Sequence, residues 1–224
     1  MKKFMHNVRA TFGDVEKTKD AAADQLGAQL AAAQTALRDH MSAISAMKRT
    51  AADLVSAMEC AAKAFMAMAL LNQSPALEAL ARAISHTATD CRATAAAQYA
   101  AALDRDAPGV RRLQAAVEES RRLEEARARK ARSYDVARYT VRTKEEAYQR
   151  KGKSIEQSAT YPTEVAECQR ALQELEDADR VFKKTAAATL QDMDETYLAA
   201  MKEYVMATQA LFANFQTTLA AIQL

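Results

Sequence analysis

Helix-breaking residues are rare in this chain, which has only four glycines and three prolines among 224 residues. Glycine and proline are the residues least favourable to a helix interior, whereas alanine, leucine, glutamate, lysine and arginine favour it. These helix formers dominate the sequence. A globular enzyme of this size needs many turns to bring its loops together at a site. The sequence therefore predicts an all-α protein made of a few long helices, and we do not expect an enzyme.

Apolar residues recur every three or four positions along three segments that short breaks separate, which is the pattern of amphipathic helices. Helices are predicted over about 14–71, 75–150 and 162–223, in one domain that spans 14–224. Pro108 lies inside the second segment and removes one helical hydrogen bond. Because the apolar pattern resumes directly after it, we expect a kink there. Helices this long cannot pack as a sphere, and short connections make neighbours antiparallel, which predicts an elongated three-helix antiparallel coiled coil.

The three cysteines give no sign of a disulfide framework or a metal site. Cys60, Cys91 and Cys168 are far apart and lie at apolar positions of the helical pattern, so each is interpreted as a small buried hydrophobic residue. The histidines share no ligand spacing with one another or with cysteine. No metal and no cofactor is expected, and the free thiols predict a reducing compartment.

A bilayer-spanning segment is not expected. The most apolar stretch, 51–71, contains Asp53, Glu59 and Lys63, which are unfavourable at the centre of a bilayer. The N-terminus has no long apolar core of the kind found in secretory signals. These features predict a cytoplasmic protein.

Residues 1–13 are predicted to form a short amphipathic segment. Its apolar side chains follow the spacing of one helical face, and its cations lie away from that face. Such a helix suits a membrane surface, where apolar anchors insert and cations meet anionic headgroups. The alternatives are a helix that docks on its own bundle and a frayed terminus. The predicted anchors are Phe4, Met5, Val8 and Phe12, and the predicted headgroup ligands are Lys2, Lys3 and Arg9.

Charge is distributed unevenly along the chain, although the net formal charge is only +2. Residues 111–153 carry a net charge of +7, and residues 154–224 carry −6. A basic block of this kind is compatible with a solvated face, with phospholipid headgroups or with nucleic acid. The block lacks interleaved aromatic residues and any motif that reads bases, so we expect no nucleic-acid partner.

The segment from Ala128 to Arg138 resembles the BAR domain family, and the amphiphysin and endophilin type in particular. In that family a basic run precedes Asp-Tyr-Asp, and an arginine follows three residues later. Tyr134, Asp135 and Arg138 match this motif, and Ser133 replaces its first aspartate. The third helix is also similar over residues 171–182, where an acidic and apolar run ends in Val-Phe.

The resemblance implies a crescent-shaped homodimer with a six-helix centre and a positively charged concave surface. It implies a cytoplasmic, peripheral membrane protein that binds curved anionic phospholipid membranes, as in endocytosis and membrane trafficking. The alternative is a structural coiled-coil adaptor that binds protein or cytoskeletal partners. The lipid-binding residues that the resemblance and the basic block predict are Arg127, Arg129, Lys130, Arg132, Arg138, Arg150, Lys151 and Lys153.

Overall fold

The computed structural model describes residues 15–105 and 107–222, and every regular element within these ranges is helical. The prediction of an all-α protein built on three long helical segments is confirmed. The elements in chain order are α1 (Ala21–Leu71), α2 (Pro75–Cys91), a π-helical turn (Arg92–Ala96), α3 (Ala97–Arg105), α4 (Ala107–Arg150), a 3₁₀ turn (Ile155–Gln157) and α5 (Tyr161–Ala220).

Helix α1 begins seven residues later than the sequence pattern predicted, because residues 15–20 have no regular structure. The Asp20 side chain accepts a hydrogen bond from the Ala23 N–H at 3.1 Å and so caps the first turn. Aspartate is among the preferred N-cap residues because its carboxylate satisfies a backbone donor that the helix leaves unpaired.

A Schellman motif ends α4. The N–H of Lys153 donates to the carbonyl of Tyr148 at 3.1 Å, and the N–H of Gly152 donates to the carbonyl of Gln149 at 3.0 Å. Gly152 has φ +62°, the left-handed conformation that this motif requires and that glycine adopts without steric penalty.

The same motif ends α1, with a side chain in the left-handed position. The N–H of Ser74 donates to the carbonyl of Ala69 and that of Gln73 to the carbonyl of Leu70, both at 3.2 Å. Gln73 has φ +47°, a left-handed conformation in which the Cβ atom is crowded by the backbone. A glycine has no Cβ and would avoid this strain. Ser74 then caps α2, and Pro75 occupies its first turn.

The two turns predict stability changes of opposite sign. Gln73→Gly should raise the free energy of unfolding by about 0.5–1 kcal/mol, because it removes the strain of a left-handed non-glycine residue. Gly152→Ala should lower it by about 1 kcal/mol, since no atom lies within 4 Å of the new Cβ and the backbone conformation alone is unfavourable. Urea denaturation checks both variants, and changes of the same sign would contradict the assignment of both turns.

The described residues form two compact units. The first comprises residues 15–33 and Ala116–Gln191, so it contains the start of α1, most of α4 and the first half of α5. The second comprises the described residues of Gln34–Ala115 and residues 192–222.

The core of the first unit is centred on Phe182, which is fully buried and packs with Ala23, Leu30 and Ala186. Helices α4 and α5 run antiparallel in this unit. Ser120, Arg127 and Lys130 follow one another along α4, and their partners in α5 are Thr189, Asp179 and Glu174, in descending order. Ser120 contacts Thr189 through their hydroxyls at 3.0 Å, and this polar pair is buried in the helix packing.

The core of the second unit includes Val55 of α1, Tyr99 of α3 and Phe215 of α5. Cys91 is buried in it, as predicted, but Cys60 is exposed and Cys168 is only partly buried. Cys60 lies five positions after the buried Val55, a rotation of about 140° that places the two on opposite sides of α1. The interpretation of all three cysteines as buried residues is therefore wrong for Cys60.

Candidate functional site

The predicted lipid ligands divide into cations that are paired within the protein and cations that face solvent. Arg127 belongs to the first group, because only 11% of its side chain is exposed. Its guanidinium donates to Asp179 Oδ1 at 2.5 Å and to Asp20 Oδ2 at 2.8 Å. Lys183 Nζ lies 2.8 Å from Asp20 Oδ2 and 2.7 Å from Asp179 Oδ2.

This network of Asp20, Arg127, Asp179 and Lys183 ties the start of α1 to α4 and α5. The hydrogen bond from Lys183 holds the pKa of Asp20 far below its ordinary value, although partial burial opposes the shift. Each arginine or lysine of the network thus contacts both aspartates. The structure thus places Arg127 in a structural ion network, and it is left out of the candidate surface.

The residues that carry the family resemblance hold the segment before α1 against α4. Asp135 is 5% exposed, and its two carboxylate oxygens accept the Thr18 N–H at 3.1 Å each. The Thr18 hydroxyl donates to the same carboxylate at 2.5 Å. Arg138 donates to the carbonyl of Glu16 at 2.6 Å, and its guanidinium lies 5.4 Å from the centre of the Tyr134 ring. Arg138 is therefore occupied by internal contacts, which the sequence did not predict.

Lys130 is also paired, since its ammonium lies 2.6 Å from Glu174 Oε2. Both side chains are 46% exposed, so the pair is well solvated and contributes little to stability. A paired cation attracts an anionic surface less than an unpaired one, because the carboxylate is repelled by the same surface.

Three arginines of α4 form the candidate surface of the first unit. Arg129, Arg132 and Arg150 are exposed and lie within about 60° of one another around the helix at 100° per residue. This arginine stripe faces away from Ser120, which is buried on the opposite side of α4. Among the described residues, Arg129 and Arg132 have no carboxylate within 4 Å, and Arg150 lies 3.5 Å from Glu146.

Two lysines extend the stripe beyond the end of α4. Lys151 and Lys153 are exposed on either side of Gly152, and neither has an ion-pair partner in the described part of the chain. The Schellman motif fixes their backbone, so these turn lysines are held beside Arg150. The arginine stripe and the turn lysines together carry five positive charges on one unit. An arrangement of this kind attracts phosphate groups through charge and does not distinguish one phosphate-bearing headgroup from another.

The remaining site residues lie outside the described residues. These are the predicted headgroup ligands Lys2, Lys3 and Arg9 and the predicted anchors Phe4, Met5, Val8 and Phe12.

Helix α1 is long enough and apolar enough to cross a membrane, by length and composition, and it is the only described helix for which this holds. The most apolar window has a mean hydropathy of 1.6, and only 17% of it is buried. The sequence argument against a spanning segment counted three charged residues in the stretch 51–71. The 18 residues 54–71 contain only two of them, Glu59 and Lys63, so that argument overstated the charge of this stretch. Glu59 lies 2.7 Å from Arg92 of the π-helical turn, so this part of α1 packs within the second unit.

The second unit also exposes an apolar stripe along α5. Leu198, Met201, Val205, Phe212 and Leu219 are 46–65% exposed, and they follow one another at spacings of three, four, seven and seven. This spacing is that of one helical face, and it matches the heptad pattern of helices that pair with another helix. Large exposed apolar patches mark interaction surfaces in soluble proteins.

Comparison with protein-family models finds no match to this chain, and comparison with curated proteins finds none. The resemblance to BAR domains accordingly rests on the residues named above, of which Asp135 and Arg138 now have a structural role in holding residues 16–18.

Proposed function

We propose that this protein binds anionic membranes and senses or generates membrane curvature as a scaffolding homodimer. The observation that carries the proposal is the group of exposed cations formed by the arginine stripe and the turn lysines. Of these five side chains, only Arg150 has a carboxylate within 4 Å among the described residues. The resemblance to BAR domains supports the same function.

The mechanism is electrostatic scaffolding by a rigid helical protein. Each cation contributes on the order of 1 kcal/mol when it lies near an anionic membrane surface. The contributions add over both copies of a dimer, and salt weakens them because the Debye length is about 8 Å at physiological ionic strength. A membrane bends, or a curved membrane is selected, when this attraction exceeds the energy of bending. In this proposal residues 1–13 add a shallow insertion through their apolar anchors.

The proposed homodimer is a crescent of two three-helix coiled coils with a six-helix centre. The apolar stripe of α5 supports it, because a heptad-spaced stripe is complementary to a second copy of itself. An exposed apolar surface on α1 adds to the area that a partner copy would cover. Its residues include Leu54, Phe65 and Met68, which are 49–57% exposed.

A charged double substitution in the stripe, Val205→Glu/Phe212→Glu, should therefore convert a dimer into a monomer. Two carboxylates buried at the interface would be desolvated without partners, which is strongly unfavourable. Sedimentation equilibrium measures the mass of each variant. Met206→Glu is the matched control, since Met206 is 55% exposed on a different side of the same helix and should leave the dimer intact. A wild-type protein that is monomeric at micromolar concentration would refute the dimer.

Vesicle co-sedimentation tests the membrane function. The purified protein should bind vesicles with about one-third anionic phospholipid, should not bind neutral phosphatidylcholine vesicles, and should be released as salt rises toward 1 M. Electron microscopy of the bound vesicles should show tubules. Equal binding to neutral and anionic vesicles that does not change with salt would contradict the proposal.

The alternative is a structural coiled-coil adaptor, and the apolar stripe is the observation that favours it. A stripe of heptad spacing also accepts an amphipathic helix of another protein. An adaptor does not need the arginine stripe, so reversal of those charges would leave its binding unchanged. The vesicle experiment therefore distinguishes the two functions.

A further inference from the structure

We propose that Ser154 is a phosphorylation site through which a basic-directed serine/threonine kinase releases the protein from membranes. The inference rests on the proposed function, because it supplies the regulation of the same cationic surface. Its starting point is a repeated pattern in the sequence. Ser154 has arginine at −4 and lysine at both −3 and −1, and Ser133 has arginine at −4, lysine at −3 and arginine at −1.

Both serines thus have basic residues at the same three flanking positions. These residues are complementary in charge to a kinase whose substrate groove carries carboxylates. The two sites differ in backbone conformation. Ser133 lies inside α4, and its hydroxyl donates to the carbonyl of Arg129 at 3.2 Å. The substrate groove of a kinase must surround several consecutive residues of its substrate. It cannot do so at Ser133, because in an intact helix about half of the neighbouring residues face the rest of the protein.

Ser154 satisfies the requirement that Ser133 fails. It is exposed, it lies in the connection between α4 and α5, and its φ and ψ of −67° and 136° are those of an extended chain. Its hydroxyl oxygen makes a single long contact, accepting the Glu156 N–H at 3.3 Å. The hydroxyl is therefore free to attack in line with the leaving oxygen of a nucleoside triphosphate.

The reaction is an ordinary phosphoryl transfer from ATP. The Ser154 hydroxyl oxygen forms a bond to the γ-phosphorus while the bond from that phosphorus to the bridging oxygen breaks. The hydroxyl proton passes to the catalytic aspartate of the kinase, and ADP leaves. The product carries a phosphate with a charge of about −1.5 to −2 at pH 7 next to the turn lysines.

The phosphate changes the membrane interaction through local charge. Lys151 and Lys153 together contribute two positive charges, which the phosphate nearly cancels. The phosphate oxygens also compete with lipid phosphates for the neighbouring turn lysines. We expect phosphorylation to weaken binding to anionic vesicles by roughly 10- to 30-fold.

The test uses the full chain, ATP and the catalytic domain of protein kinase C, a kinase that accepts basic residues on the N-terminal side of the serine without requiring one at −2. Mass spectrometry should find one phosphate, at Ser154, with Ser133 unmodified although it has the same flanking charges. Ser154→Ala should accept none, and Ser133→Ala should accept as much as the wild type. Phosphate on Ser133 at a comparable rate, or its absence from Ser154, would overturn the assignment.

The effect of phosphorylation on membrane affinity is measured by vesicle binding after the kinase reaction. The phosphorylated wild type should bind anionic vesicles more weakly than its untreated form, and treated Ser154→Ala should bind as tightly as untreated protein. Equal affinity of phosphorylated and untreated wild type would overturn the regulation. Phosphate mapping requires no vesicles, so it decides the modification site even if the untreated protein fails to bind and the proposed function falls.

Discussion

Replacement of Arg127 with methionine is expected to lower the free energy of unfolding by about 3 kcal/mol, the largest stability effect that we expect from a single basic residue of α4. Methionine fills much of the same volume, so the change isolates the guanidinium. Its loss leaves Asp20 and Asp179 to share the single positive charge of Lys183. Removing one partner of a largely buried ion pair typically costs 3–5 kcal/mol, and the partial exposure of both aspartates favours the lower end.

Thermal unfolding followed by circular dichroism measures this effect. For a chain of this length, about 3 kcal/mol corresponds to a fall in Tm of roughly 6–12 °C. Arg132→Met is the matched control, because Arg132 lies on the same helix, is exposed and has no ion-pair partner among the described residues. It should change stability by less than about 0.5 kcal/mol. Equal effects of the two substitutions would show that the network does not stabilise the fold.

Reversal of two charges in the arginine stripe, Arg129→Glu/Arg132→Glu, is expected to reduce affinity for anionic vesicles by roughly three orders of magnitude. Each substitution removes an attraction of about 1 kcal/mol and adds a repulsion of similar size, so the pair changes the binding free energy by about 4 kcal/mol for each protomer that contacts the membrane. Both side chains are exposed and unpaired within the described residues, so folding should be unaffected. Co-sedimentation over a range of lipid concentrations gives the affinity.

The control for this variant must change the net charge equally without touching the stripe. Arg38→Glu/Arg82→Glu meets the requirement, since both arginines belong to the second unit and are 76% and 68% exposed. It should reduce vesicle affinity far less than the stripe variant. An equal loss in both variants would mean that net charge governs binding and that the arginine stripe is no specific surface.

Much of the fold followed from sequence periodicity. The scarcity of glycine and proline and the spacing of apolar residues predicted three long helical segments, and all are helical within the described residues. Periodicity was less informative about helix ends. It placed the start of α1 near Asp14, whereas the observed cap is Asp20, because a cap is chosen by tertiary contacts such as the hydrogen bonds between Thr18 and Asp135.

The candidate surface was only partly predictable. Composition located the basic block, but it did not show which of its cations face solvent. Pairing across helices could not be predicted, because Arg127 reaches Asp20 and Asp179 at sequence separations of 107 and 52 residues. The role of Asp135 and Arg138 in holding residues 16–18 was missed for the same reason.

The sequence by itself determined that the chain forms long amphipathic helices with a basic block along the second helical segment, because both properties depend only on neighbours a few residues away. Tertiary structure decided what each charge does. Arg127 and Arg129 are two residues apart, yet Arg127 is paired with Asp20 and Asp179 whereas Arg129 faces solvent. Ser133 and Ser154 have matching basic flanks, yet one is helical and the other extended. Ion pairing, burial and the accessibility of a side chain depend on contacts between segments that are distant in sequence. Local sequence patterns therefore do not predict them.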